Sequence, residues 1–257
     1  MNNQDYHPES YWTDVAHRIS ARKDLRIIAG DDEPYYRYKR KRFLEMMDSI
    51  DFKDKKVLEI GHGPGGNLAV IHEKAPKLLH GADISQAMID LASKNLSRQD
   101  DIRLHKINGT ELPFEADQYD QVLTVTVLQH NTDEDMLKPL IAEMCRTSGG
   151  EIHIFERIDD PISGDELCLG RPVEYYAKLF SEHGFRLART EFINIQVSYL
   201  VCGSIRKLLN RRSRKEGEAL NKPSLLLQAL LLPITKLLDK VFKAKRDLAL
   251  LSFETVK

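Results

Sequence analysis

Between Val57 and Asn67 the chain passes from an apolar run (Val57, Leu58, Ile60), broken only by Glu59, into a turn holding Gly61, Gly63, Gly65 and Gly66. Few folds accept that order. A buried strand ends, the backbone turns sharply without side chains, and a helix begins with its N–H groups pointing into the turn. Glycine supplies the conformations the turn needs, and the helix N-terminus favours a polar or anionic ligand. Expected cofactor contacts here are Gly61, His62, Gly63 and Gly65.

The pattern then repeats. Leu78–Ala82 reads as a second strand ending at Asp83, with Ser85 placed to cap a helix over 86–96. Ile102–Ile107 and Tyr119–Val127 read as the third and fourth strands. Thr132 is placed to cap the next helix, Pro139 to bend it and Gly149-Gly150 to end it. Glu151–Phe155 reads as a fifth strand, Pro172 to Gly184 as a helix and Arg186–Ile195 as a sixth strand. Alternation of this kind predicts an α/β fold with a parallel, doubly wound sheet. Two additions depart from it. Residues 1–52 read as helical, with Trp12, Val15, Ala16 and Ile19 on one face, then a loop at Gly30–Pro34 and a helix over 39–50. Residues 198–246 read as a helical insertion, and Leu248–Val256 as a closing strand. The expected division is 1–52, a core over 53–197, the insertion over 198–246, and 247–257 returning to the core.

The chain has 257 residues, 38 Lys and Arg against 39 Asp and Glu, and three cysteines. The charge balance disfavours a dedicated nucleic-acid binder. Cys145, Cys168 and Cys202 lack metal or redox spacing, which suits a reducing compartment, and a cytoplasmic location is expected. No metal constellation is visible; Asp159, Asp160 and Asp165 read as an acidic loop beside Pro161 and Gly164.

Gly61, Gly63 and Gly66 match the dinucleotide pattern, and Asp83 follows Gly61 by 22 positions, near the spacing of the carboxylate that holds a ribose. This alone leaves NAD open. Glu59 is less at home in a dehydrogenase strand, because a buried carboxylate needs a partner.

Together, Val57–Asn67, Gly81–Ser85, Glu111–Phe114, Tyr119–Leu123 and Gly149–Ile154 resemble the class I SAM-dependent methyltransferase family over about 56–192. The resemblance implies a Rossmann-like, seven-stranded, mostly parallel sheet with an antiparallel last strand. It implies S-adenosyl-L-methionine (SAM) as cofactor, with Glu59 near the methionyl amino end, Asp83 and Ile84 at the ribose, and Asn108, Gly109 and Thr110 at the adenine. Asn108 stands where the family often has Asp. Thr126 falls in the stretch that the family packs against the methionine part.

A hydroxyl acceptor must also lose a proton. His130, after the fourth strand, is the expected general base. Tyr11, Trp12 and the 29–40 segment look like those of methyltransferases acting on bacterial surface glycans. That resemblance implies Tyr11, Trp12, Tyr36 and Arg37 as acceptor-binding residues; Glu156 and Arg157, after the fifth strand, are candidates by position, because ligands in such sheets sit at the carboxyl ends of strands. The expected acceptor is a saccharide, with a small molecule or lipid as the alternative. The aromatic N-terminal segment reads either as a cap on the core or as a lid. The basic, leucine-rich stretch 206–243 reads either as packing, including a homodimer contact, or as a peripheral membrane contact.

Overall fold

A computed structural model describes residues 7–22, 33–211 and 213–256. Two helices, α1 (Pro8–Ser20) and α2 (Pro34–Met47), precede β1 (Lys56–Ile60). The alternating part follows as α3 (Gly66–His72), β2 (Leu78–Asp83), α4 (Gln86–Asn95), β3 (Ile102–Lys106) and β4 (Tyr119–Val125). A 3₁₀ turn at Leu128–His130 leads to α5 (Glu134–Thr147), β5 (Ser148–Ile158), a small hairpin of β6 (Ser163–Asp165) and β7 (Cys168–Gly170), α6 (Val173–Ser181) and β8 (Phe185–Phe192). Two further helices, α7 (Gln196–Leu209) and α8 (Lys222–Val241), come before β9 (Asp247–Thr255).

The main sheet has seven strands in the order β3-β2-β1-β4-β5-β9-β8. The pairs among β1 to β5 are parallel, whereas β9 runs antiparallel to both β5 and β8. The expected antiparallel last strand is therefore present, and it is wedged between the fifth and sixth. Side chains alternate across the sheet, as the two-residue period of a strand requires. Leu58, Val122, Ile154 and Leu251 enter one core with α5 and α6, while Val57, Leu123, Phe155 and Leu250 enter a second with α2 and α3. Helices on both faces explain why these strands read as nearly unbroken apolar runs.

Several local expectations are corrected. The cap of α5 is Asp133, whose Oδ1 accepts from Asp135 N at 2.9 Å, while the Thr132 hydroxyl donates to Glu166 O. Pro139 lies inside α5, as expected. Gly149 and Gly150 do not end that helix but lie inside β5. The reason is close approach: a Cβ on Gly150 would sit 2.6 Å from Asp120 O, beside a register shift at Tyr119/Gln121. Helix α2 begins at Pro34, suited to a first helical position, so Tyr35, Tyr36 and Arg37 are helical. The acidic stretch after β5 contains the β6–β7 hairpin instead of an open loop. The Ala29–Asp32 part of the expected lid lies outside the described residues. Among the described residues, no helix is long and apolar enough to cross a membrane.

Candidate active site

The carboxyl ends of β1, β2 and β4 meet at a cavity of about 330 Å³, which is where open α/β sheets hold ligands. Its floor comes from Gly61, His62 and Gly63, with Asp83 and Ile84 at the end of β2 and Gly109 after β3. Thr126, Gln129 and His130 form one wall, and Trp12, Tyr36, Lys39 and Arg40 from the two N-terminal helices cover another.

The turn is set by steric demand. Gly61 has φ +72°, and a Cβ there would lie 2.2 Å from Val127 Cγ2. No L side chain fits that position without displacing the β4 loop. Asp83 holds the turn in place: its Oδ2 accepts from Gly63 N at 2.9 Å and its Oδ1 from Ser85 N at 2.8 Å. Helix capping falls to Ser85, whose Oγ accepts from Met88 N. A carboxylate has about four lone-pair sites, so Asp83 keeps acceptor capacity facing the cavity. Gly65, by contrast, caps α3 with φ +87° and packs against Leu96 away from the cavity.

Glu59 is fully buried behind the turn. Its Oε1 accepts from Asn67 Nδ2 at 2.7 Å, and its Oε2 has no partner. Burial pushes its carboxyl up to about 7, opposed by the Asn67 hydrogen bond and by the nearby Arg40 charge. Arg40 donates to Gly66 O at 3.1 Å and to Asn67 Oδ1. His62 is also buried; its Nδ1 lies 2.8 Å from Gly63 O, and burial lowers its pKa.

The wall carrying His130 is braced from below. Glu156 is fully buried and does not line the cavity. It accepts from Val127 N and Leu128 N through Oε1 and from Gln129 N through Oε2, each at 3.0 Å. Its expected acceptor role is thus replaced by a structural one, the satisfaction of three successive backbone donors. Arg171, also fully buried, donates to Leu128 O and Asn131 O at 3.0 and 2.8 Å. The Gln129 side-chain carbonyl accepts from Arg157 N at 2.9 Å, which turns its amide nitrogen toward His130 Nε2, 3.2 Å away. His130 Nδ1 lies 2.7 Å from Leu167 O. A carbonyl only accepts, so Nδ1 carries the proton and Nε2 keeps its lone pair. Burial draws the His130 pKa below its ordinary value. Thr126, at φ +55°, donates its N–H to Phe155 O at the entrance to this loop.

Of the expected acceptor residues, Trp12 and Tyr36 line the cavity, and the Trp12 ring stands edge-on to His130 at 5.0 Å. Tyr11 instead donates to Glu216 Oε2, Arg37 is exposed on α2, and Arg157 pairs with Asp159 at 2.7 Å next to the small hairpin. Asn108 is exposed and turned on its own loop. Its Oδ1 accepts from Thr110 N and Glu111 N, and its Nδ2 donates to Glu111. Neither Asn108 nor Thr110 lines the cavity. Sequence reasoning missed Gln129, Arg171 and Glu216, and reached Lys39 and Arg40 only as part of the 29–40 segment, without a role for either. No local motif marks them, because each acts across long sequence separations; Glu216 reaches the cavity from the segment between α7 and α8.

Residues 57–148 match the family model of a methyltransferase domain. That segment is a methyltransferase domain. It contains the glycine turn, Glu59, Asp83 and the His130 wall. A tRNA U34 carboxymethyltransferase from Sulfurimonas denitrificans is 30% identical over 135 residues, which are 51% of this chain and 43% of that protein. The chain thus spans less than half of that relative's length. Among solved structures, the [4+2]-cyclase SpnF superposes with a TM-score of 0.63 at 14% identity, covering 96% of this chain and 95% of that one. The magnesium protoporphyrin IX methyltransferase ChlM of Synechocystis PCC 6803, with bound SAH, gives a TM-score of 0.59 at 13% identity over 96% and 97% of the two chains. These likenesses concern the fold around the methyltransferase domain; a cyclase and a methyltransferase share it.

Proposed function

We propose that the chain is a SAM-dependent methyltransferase whose acceptor is a hydroxyl, with a saccharide of a cell-surface polysaccharide or lipid-linked glycan as the first choice. The observation that carries the cofactor is Asp83, an acceptor facing the cavity beside the bare Gly61 and Gly63 backbone; Glu59 stands behind that turn, does not itself line the cavity, and has a buried Oε2 that lacks a partner. Asp83 suits a ribose diol, which offers two donors. A carboxyl held near neutrality at Glu59 gains its charge when a cationic amino group arrives. The bare backbone of Gly61 and Gly63 admits the remainder of the molecule.

When bound, SAM supplies an electrophilic methyl on a sulfonium leaving group. The chain contributes alignment, exclusion of water and removal of a proton. Trp12 and Tyr36 close the cavity from the N-terminal helices. His130, with Nδ1–H tied to Leu167 O, presents Nε2 as the site that receives the acceptor's proton once the acceptor hydroxyl takes the place of the Gln129 amide, 3.2 Å from that nitrogen. Support for a saccharide is the mixture of ring faces (Trp12, Tyr36) with polar groups (Lys39, Glu216) around one space.

Titration calorimetry with S-adenosylhomocysteine and with NAD tests the cofactor. The expected result is binding of the former, weakened by about 10–100-fold in Asp83→Ala through loss of hydrogen bonds to a charged acceptor. Binding of NAD alone would overturn the reading. A labelled-methyl assay against glycans, lipids and small phenols then identifies the acceptor class, and label in a phenol or lipid alone would remove the saccharide.

A further inference from the structure

Helix α8 is amphipathic with its faces reversed. The residues it buries include Ser224, Gln228, Thr235 and Asp239. These are satisfied inside the protein. Gln228 donates to Glu33 and accepts from Tyr35 N, and Asp239 accepts from Val197 N at 2.8 Å and from the Ser198 hydroxyl. The Thr235 hydroxyl lies 2.8 Å from that of Ser198. The opposite face carries Leu226, Leu230, Ile234, Leu237 and Val241 at helical spacing, between 58% and 73% exposed. Leu200 and Leu208 on α7 are exposed too. A helix that faces water ordinarily does the reverse. A contiguous leucine stripe left outside a folded chain marks a docking face.

Charge selects the partner. Residues 198–246 hold twelve Lys and Arg against three Asp and Glu, a net +9 in a chain whose total is −1, so the remainder carries −10. Lys222 lies at one end of α8, and Lys240, Lys243, Lys245 and Arg246 lie at and beyond the other, all exposed. We propose that the α7–α8 face docks on an anionic lipid bilayer, with the leucine stripe entering the acyl boundary and the lysines meeting the headgroups. A second copy of the chain would bring two +9 segments together and is opposed by their charge. A polynucleotide would neutralise the lysines and leave the leucines in water. Glu216, in the segment joining α7 to α8, lines the active-site cavity, so a docked chain holds its cavity close to the lipid surface.

The test is flotation of the full chain with phosphatidylcholine vesicles, with and without phosphatidylglycerol, alongside light scattering for oligomeric state. The expected outcome is flotation with the anionic vesicles at low salt that declines at high salt. The double variant Leu230→Glu/Leu237→Glu lowers the bound fraction by about 100-fold while its melting temperature is unchanged. The double variant Lys240→Glu/Lys243→Glu, which keeps every leucine, weakens flotation by about tenfold. Absence of flotation at low salt, flotation indifferent to both variants, or a wild-type dimer that the leucine variant converts to monomer would each overturn the proposal.

Discussion

Replacement of Glu59 by Gln separates stability from function, with opposite signs. The carboxyl is buried, accepts one hydrogen bond at 2.7 Å, and is raised from 4.5 to about 7. The folded chain therefore holds a proton that the unfolded chain has already released. Its stability falls as pH rises from about 4.5 through about 7, and the full loss is present above that. The rise corresponds to about 3 kcal/mol, at about 1.4 kcal/mol per pH unit. Glu59→Gln has no such dependence. The second amide hydrogen it introduces has no partner, and that penalty is independent of pH. The informative quantity is therefore the difference in melting temperature between variant and parent, followed from pH 5 to pH 8. About 2.5 kcal/mol of this falls between pH 5 and pH 8, the rest being lost already by pH 5; for a chain of this size that is worth roughly 5–10 °C, so the variant gains by about that much on the parent across the range. Glu156, also raised to about 7, is common to both chains and cancels. Scanning calorimetry of both proteins without ligand measures this. A difference that stays flat with pH, or one that moves against the variant as pH rises, would refute the placement of an uncompensated carboxyl at this site. On the proposed function, the same variant binds S-adenosylhomocysteine more weakly, since its amino group loses a carboxylate.

His130→Ala lowers the turnover of a hydroxyl acceptor by about 10²–10⁴-fold, with S-adenosylhomocysteine affinity retained; an unchanged single-turnover rate removes His130 from the reaction. Because burial lowers the His130 pKa, its basic form persists below pH 6.5, and the acid limb of the parent's rate profile lies below that value. A limb above it would contradict the buried, Nδ1-protonated geometry. Gly61→Ala meets Val127 at 2.2 Å in addition to its positive φ, whereas Gly63→Ala meets nothing within 4 Å. The first is expected to cost about 2–4 kcal/mol and the second about 1, as read by urea unfolding; Val127→Ala restores part of the first loss.

The periodic part of the chain could be read with little ambiguity. Strand, turn and helix follow one another from Lys56 onward because the inner strands are covered on both faces, the edge strands β3 and β8 less so, and each helix on one, so burial writes itself into local spacing. Gly61, Asp83 and Ser85 were equally readable, since the turn, the end of β2 and the cap of α4 lie within one local unit. Errors fell where a distant contact outweighed a local signal. Gly149 and Gly150 look like a helix stop but serve a strand pressed against the Asp120 carbonyl. Thr132 looks like a cap, yet its hydroxyl is drawn to the Glu166 carbonyl. Asn108 looks like a ligand reader and spends its amide on its own turn.

By itself the sequence determined the sheet, the glycine turn and the carboxylates beside it, because these depend on backbone conformation and on burial patterns repeated within a few residues. Only the tertiary structure decided the rest. It assigned Glu156 to three backbone donors instead of a substrate, and Arg171 to the carbonyls beneath His130. It brought Trp12, Arg40 and Glu216 over one cavity from opposite ends of the chain. It also showed that α8 turns its polar face inward. A hydrophobic pattern states that a helix has two faces; which one meets the protein depends on partners as far away in sequence as Glu33 and Ser198.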